Sequence, residues 1–285
     1  LSNILRTADS FPNPAAVDQN GTVFIAAGAP FSVTVTARNA LGNPTPNYGE
    51  EGESVLLTPV LVAAGGANNP AIGFTTGFST YTNGVSTGTD FSWGEAGIIT
   101  LTPRVGDGDY LGAGNVTGTA SGNVGRFTPY AFAVSLNNAP NFVAACGGFT
   151  YMGQSFAYNL APQITITARN AAATTTQNYS GAWWKLADFV ESYAHNGPIS
   201  AGVTLNSGSA GHVAVSCPAC GGSLATSFNG TFLYTLSAPE TDPFNGAINI
   251  SFSISDSDSI AYAGNPFSIS AIGFNGGNAQ QYSGR

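Results

Sequence analysis

Phe31-Ser32-Val33-Thr34-Val35-Thr36-Ala37-Arg38-Asn39-Ala40 decides the fold, because most of it returns in the second half of the chain as Ile164-Thr165-Ile166-Thr167-Ala168-Arg169-Asn170-Ala171. In the first copy Phe31, Val33 and Val35 alternate with Ser32, Thr34 and Thr36, and Ile164 and Ile166 alternate with Thr165 and Thr167 in the second. Period-two alternation puts the apolar set on one face of a half-buried strand. Tyr48 and Tyr179 each follow an asparagine and lie twelve positions beyond the motif threonine (36 to 48, 167 to 179). The strand and the tyrosine are joined by Gly42-Asn43-Pro44-Thr45-Pro46 in one copy, which is turn chemistry, and by Thr174-Thr175-Thr176-Gln177 in the other.

The copies also end alike. Ile99-Thr100-Leu101-Thr102 runs into Asp107-Gly108-Asp109-Tyr110, and Ile248 to Ile254 runs into Asp256-Ser257-Asp258. The interval from tyrosine to aspartate is longer in the second copy (179 to 256 against 48 to 107), which places an insertion around Trp183 to Cys220. A repeat of about 110 to 150 residues, with short alternating strands and frequent turns, reads as a β-sandwich. The expected architecture is therefore all-β, as two tandem immunoglobulin-like β-sandwich domains. An extended segment over 1–20, Pro-rich at Phe11 to Pro14, precedes a first sandwich over 21–126 and a second over 127–285 with the longer middle. Leu186, Phe189, Val190 and Tyr193 follow helical spacing and predict one or two helical turns there.

Composition narrows the function. Charged residues make up 8% of the 285, hydrophobic ones 43%, and the net charge is -8. Apolar content is sufficient for packed cores, so the low charge does not signal disorder. Seven Lys and Arg in all give no basic patch for nucleic acid or for an anionic membrane surface. The apolar runs, such as Ile98 to Leu101, fall far short of the roughly 18 residues of a membrane span, so no membrane insertion by this segment is expected. No signal sequence opens the chain at Leu1, which reads as a mature or trimmed product. Abundant Gly, Ser, Thr and Asn with a single lysine, Lys185, has the look of a bacterial extracellular or cell-surface protein.

Several residue types invite a chemical reading. Arg38, Asn39, Arg169 and Asn170 sit at strand ends, either contacting a ligand or bonding turn carbonyls; their duplication favours the structural role. Asp107, Asp109, Asp256 and Asp258 offer a calcium ion some of the six to eight oxygens it takes, but two carboxylates per turn need help from other loops. Cys217-Pro218-Ala219-Cys220 follows a strand pattern and lacks the helix that redox chemistry of this motif requires. With Cys146 it suggests a structural disulfide whose pairing stays open, and less readily a zinc site completed by His195 or His212. Glu50, Glu51, Glu53 and Glu95 supply carboxylates for a glycosidase pair, but a glutamate-rich loop reads more simply as a solvated edge, so no catalytic residue and no enzyme activity are expected. Trp183 and Trp184, if on a strand, face opposite ways, which leaves one of them as a contact residue for a sugar ring or a partner.

The ordered set Val124-Gly125-Arg126-Phe127, Cys146-Gly147-Gly148-Phe149-Thr150-Tyr151-Met152-Gly153-Gln154, Thr167-Ala168-Arg169-Asn170 and Gln177-Asn178-Tyr179 resembles the MshQ-like domain of proteins associated with biogenesis of the mannose-sensitive haemagglutinin pilus. The motifs span 124–181, with a degenerate repeat in the first half. The resemblance implies a surface-exposed bacterial protein linked to type IV pili or adhesion, with no enzymatic activity. The expected role is thus a non-enzymatic structural module of a pilus-associated or filamentous assembly, with self-association or other surface and pilus proteins as partners. The alternative is an adhesin domain that binds glycan through sandwich loops.

Overall fold

The computed structural model describes residues 1–197, 202–236, 244–274 and 281–282. The chain is all-β: among the described residues the only helical element is a 3-10 turn over Gly181–Trp183. Among the described residues no helix is long and apolar enough to cross a membrane. Two compact units are formed. The first comprises Leu1–Ala131 together with Ala168–Lys185 and Cys217–Ser223; the second comprises Phe132–Thr167, Leu186–Ser216 and Leu224–Arg285.

The first unit holds β1 (Ser2–Arg6), β2 (Ile25–Ala26), β3 (Phe31–Thr36), β4 (Val55–Ala63), β5 (Val85–Phe91), β6 (Gly97–Val105) and β7 (Val124–Thr128). They make one sheet in the order β1-β3-β5 and a second in the order β2-β7-β6-β4. Neighbours are antiparallel except β2 and β7, which run parallel. One apolar cluster takes Phe31, Val33 and Val35 from β3, Phe91 from β5, Leu57 from β4, Ile99 and Leu101 from β6, and Val124 and Phe127 from β7. Side chains from both sheets meeting in one core define a sandwich. The alternation read in the sequence is what aims Phe31, Val33 and Val35 inward. Ser32 and Thr34 are buried too, so β3 is covered on both faces, unlike the half-buried strand expected. Their hydroxyls are satisfied locally, Ser32 donating to Leu5 O and Thr34 pairing with Thr87 across the sheet at 2.8 Å.

The N-terminal segment is not a free extension. β1 pairs with β3 as an edge strand, and Leu1, Ile4 and Phe11 pack on the first core. The boundary expected at 126/127 falls inside β7, which is buried along its length between β2 and β6.

The second unit carries, apart from Ala131, Ala168, Arg169 and Ser223 at strand ends, β8 (Ala131–Leu136), β9 (Asn141–Val143), β10 (Phe156–Leu160), β11 (Gln163–Arg169), β12 (Ser192–His195), β13 (Val203–Asn206), β14 (Gly211–His212), β15 (Ser223–Asn229), β16 (Thr231–Leu236), β17 (Phe244–Asn245), β18 (Ile248–Phe252), β19 (Phe267–Ile272) and β20 (Gln281–Tyr282). Its sheets run β13-β16-β10-β9, β14-β15-β11-β8, β12-β18-β19 and β17-β20. The interior is aromatic: Phe142 lies 5.3 Å from Phe156, 5.1 Å from Phe232 and 5.7 Å from Phe274, ring centre to ring centre. Such distances allow the edge-to-face geometry in which aromatic pairs gain beyond simple burial.

The helix expected over Leu186 to Tyr193 does not form. Leu186 bridges to Asp256, Ala187 N–H donates to Ser255 O at 3.0 Å, and Ser192–His195 pairs with β18. Phe189 turns inward onto Phe252 while Val190 is 87% exposed. Strand pairing to a distant segment overrides local periodicity, as tertiary context commonly does. Of the insertion read between Trp183 and Cys220, residues 198–201 lie outside the described residues.

Candidate functional site

The two repeat copies build the same turn from the same atoms. Arg38 Nη1 donates to Gly42 O at 2.7 Å, and Arg169 Nη1 donates to Ala173 O at 3.1 Å. Asn39 Oδ1 accepts from the N–H groups of Leu41 and Asn43, and Asn170 Oδ1 from those of Ala172 and Thr174, all at 3.0 Å. In both copies the asparagine N–H closes the loop onto the residue four positions on. The position before that residue has positive φ, at Gly42 and Ala173. A short amide side chain that bonds the backbone two and four residues ahead stabilises such a turn.

The copies differ in what covers them. Glu95 is 2% exposed and its carboxylate accepts from Asn68 Nδ2 at 2.7 Å, Gln177 N at 3.0 Å and Asn178 N at 2.9 Å, which fastens the second turn within the first unit. Asn170 Nδ2 adds a bond to Gly94 O at 3.0 Å, and Tyr179 is buried. Glu95 is therefore no solvated edge. Asn68 lies 27 positions before it and Gln177 and Asn178 more than eighty beyond it, and no local pattern announces them.

The other sequence candidates sit as follows. Asp107 Oδ1 accepts from Asp109 N, Asp109 Oδ1 from Gly114 N, and Asp256 Oδ1 from Asp258 N and Ile260 N. These are turn-stabilising bonds. No group of three or more His, Cys, Asp or Glu side chains able to hold a metal converges among the described residues, so a calcium cage here would rest mostly on backbone oxygens. Cys217 and Cys220 form a disulfide, which settles the open pairing and removes both from any zinc site; Cys146 is a free thiol, its Sγ 3.6 Å from the Gln154 amide. Trp183 and Trp184 close the 3-10 turn instead of lying on a strand. Trp183 is buried against Ala16 and Ile98, and Trp184 is half-buried with its ring 5.2 Å from Tyr179.

The two histidines are not brought together as a catalytic pair. His195 bonds Tyr234 through Nδ1, and burial pushes its imidazole below the usual value of 6.5. His212 lies flat on Phe189 with ring centres 3.8 Å apart, bonded to Glu191 through Nδ1 and to Asp188 through Nε2.

At the end of the first sandwich three tyrosines gather. Tyr48 stacks on Tyr110 at 5.8 Å and meets Tyr81 edge-on at 5.4 Å. The Tyr110 hydroxyl donates to Glu51 Oε1 at 2.8 Å, and Glu51 Oε2 accepts from Gly49 N at 2.9 Å. Burial and then the charges of Glu53 and Glu51 push the Tyr48 phenol up to about 12. Tyr81 is raised further, again chiefly by burial, and its hydroxyl is buried with no hydrogen-bond partner. Tyr48 stood out in the sequence through the repeat. Tyr81 did not, because only the folded sheets bring it beside Tyr48.

Fold and site together define a protein of β-sandwich units whose duplicated polar motifs are built into turns. The chain belongs to the DUF6701 family: the family's third domain matches residues 95–277 and its second domain matches residues 4–90. Among solved structures it is similar to the Yersinia pseudotuberculosis adhesin InvE, with 17% identity and a TM-score of 0.31, over 88% of this chain and 56% of that one. Yersinia pseudotuberculosis InvD is similar at 14% identity and a TM-score of 0.28, over 88% of this chain and 54% of that one. The chain thus spans a little over half the length of each. No curated protein matches it.

Proposed function

We propose that the chain is a non-enzymatic, extracellular structural module of a bacterial surface, belonging to a pilus-associated or filamentous assembly. One observation carries this reading: the polar side chains that invite chemistry hold the backbone in place. Arg38, Asn39, Arg169, Asn170, Glu95 and Asp256 all bond main-chain groups of turns. The Cys217–Cys220 disulfide suits an oxidising compartment. The MshQ-like resemblance of 124–181 supports the pilus association, and an open sheet edge supports assembly through self-association or with other surface proteins. β4 is a nine-residue edge strand, paired on one side by β6, with Val60 and Val62 about half exposed. Such an edge accepts a strand from a neighbour, except at Pro59, which has no N–H to give.

The reading is tested on intact cells that express the protein, with a membrane-impermeant maleimide and added protease. One thiol per chain, that of Cys146, should react before reduction and three after it, and the chain should be cut from outside. No thiol labelled on intact cells, in a chain protected from external protease that shows three reactive thiols after lysis without reductant, would overturn the extracellular assignment.

A further inference from the structure

The open end of the first sandwich contains a cleft of about 720 Å³, walled by β1, β3, β4 and β6 and by the tyrosine cluster. That volume falls in the range of about 300 to 1,000 Å³ typical of small-ligand sites. Its charge is unusual for this molecule. The chain carries a net charge of -8 and only seven Lys and Arg, yet Arg38 and Arg104 both line the cleft and no Asp or Glu does. Arg38 spends Nη1 on Gly42 O, and Arg104 spends Nη1 on Val105 O and Gly106 O. A guanidinium has five N–H donors, so each keeps most of them, and among the described residues neither is ion-paired. Glu50 and Glu51 line an adjoining hollow that shares Thr45, Tyr48 and Tyr110 with the cleft, Glu51 is committed to Tyr110 and Gly49, and Glu53 acts on the Tyr48 phenol without lining the cleft.

The remaining walls supply aromatic faces and hydroxyls. Tyr48, Tyr81 and Tyr110 stand with Val35 and Val55 around a buried phenol, that of Tyr81, which has no partner. A buried hydroxyl without a hydrogen bond is costly, and a ligand hydroxyl would relieve it once the Tyr81 ring turns to bring its buried oxygen to the cleft. The site therefore offers a flat apolar surface, an unsatisfied hydroxyl and two unpaired guanidinium groups. A sugar ring with its carboxylate matches all three: its C–H face lies on tyrosine, its hydroxyls reach Tyr81 and its carboxylate takes the arginine fork. A neutral sugar would leave the arginines unused, and a simple inorganic anion would leave the tyrosines unused. We infer that this cleft binds a carboxylate-bearing saccharide of the uronic or sialic acid class. Such binding goes beyond the structural role proposed above and does not depend on it.

The test is isothermal titration of the whole chain with trigalacturonate, sialyllactose, lactose and a tetraglutamate peptide. Tyr81→Phe and Arg104→Gln are compared with wild type, and each variant's melting transition checks the fold. At least one acidic saccharide should bind, with lactose and the peptide at least about tenfold weaker. Arg104→Gln should weaken binding about tenfold, the loss expected for one charge-assisted contact. Tyr81→Phe should weaken it severalfold while melting no lower than wild type, because the free protein leaves that hydroxyl unbonded. Binding by neither acidic saccharide, binding of lactose or the peptide as tight as theirs, or acidic-saccharide binding unchanged in Tyr81→Phe and in a folded Arg104→Gln would overturn the inference.

Discussion

Replacing Glu95 tests how the second repeat turn is held. Its carboxylate is 2% exposed and accepts three bonds, two from Asn68 and Gln177 at Oε1 and one from Asn178 at Oε2. Bonds to a charged group contribute about 1.5 to 3 kcal/mol each. Glu95→Gln keeps one oxygen for the first two donors but turns an NH2 toward the Asn178 N–H, so one bond is lost and two donors face each other, at a cost of about 2 to 3 kcal/mol. Glu95→Ala strands all three donors and costs about 4 kcal/mol or more, the larger part from groups left buried without partners. The tryptophans, Trp93, Trp183 and Trp184, all lie in the first unit, so their fluorescence follows that unit alone through a urea titration. With a slope of about 2 kcal/mol/M, Glu95→Gln should lower the midpoint by about 1 M. A midpoint within about 0.2 M of wild type would refute the claim that this carboxylate fastens the turn.

Asn39→Ala and Asn170→Ala alter equivalent residues but should differ in cost. Asn39 is exposed and loses two turn bonds, about 1 kcal/mol, whereas buried Asn170 also loses its bond to Gly94 O, for about 3 kcal/mol by the same titration. Burial alone would raise Asp90, but backbone N–H donors of Thr76, Gly77 and Thr75 outweigh it and hold the carboxyl below its usual 3.8. A depressed folded value stabilises the protein above the unfolded value and loses that contribution as pH falls through the folded one. Asp90→Asn should therefore flatten the loss of stability below about pH 4, measured as urea midpoint against pH. Cys217 and Cys220 close a very short loop, for which chain entropy predicts only about 2 kcal/mol. The double Ser variant should therefore stay folded and lose about that much by chemical denaturation.

What was legible in the sequence is what short-range rules govern. Alternation marked β3 and β11, and the duplicated Arg-Asn pair marked two turns whose bonds reach only two to four residues ahead. The all-β class followed from the same signals. Long-range bonds left no trace. Glu95 looked like part of a glutamate-rich surface because Gln177 and Asn178 are remote in sequence. Leu186 to Tyr193 carried a helical spacing that pairing with β18 and the bond to Ser255 overrode. The disulfide was foreseen as a type of bond, but the spacing of three cysteines could not choose the pair. Of the tyrosine cleft only Tyr48 was marked in the sequence, through the repeat, while Tyr81, Tyr110 and Arg104 join it only when the two sheets face each other.

The most direct test of the structural role is the mass of the native particle, measured by light scattering over a range of concentrations with and without calcium. A module of a surface assembly should give particles that grow with concentration, and growth that requires calcium would assign the Asp107–Asp109 and Asp256–Asp258 turns to the ion. A constant mass of 28.9 kDa under every condition would contradict self-association of this segment and shift the account to the saccharide-binding cleft.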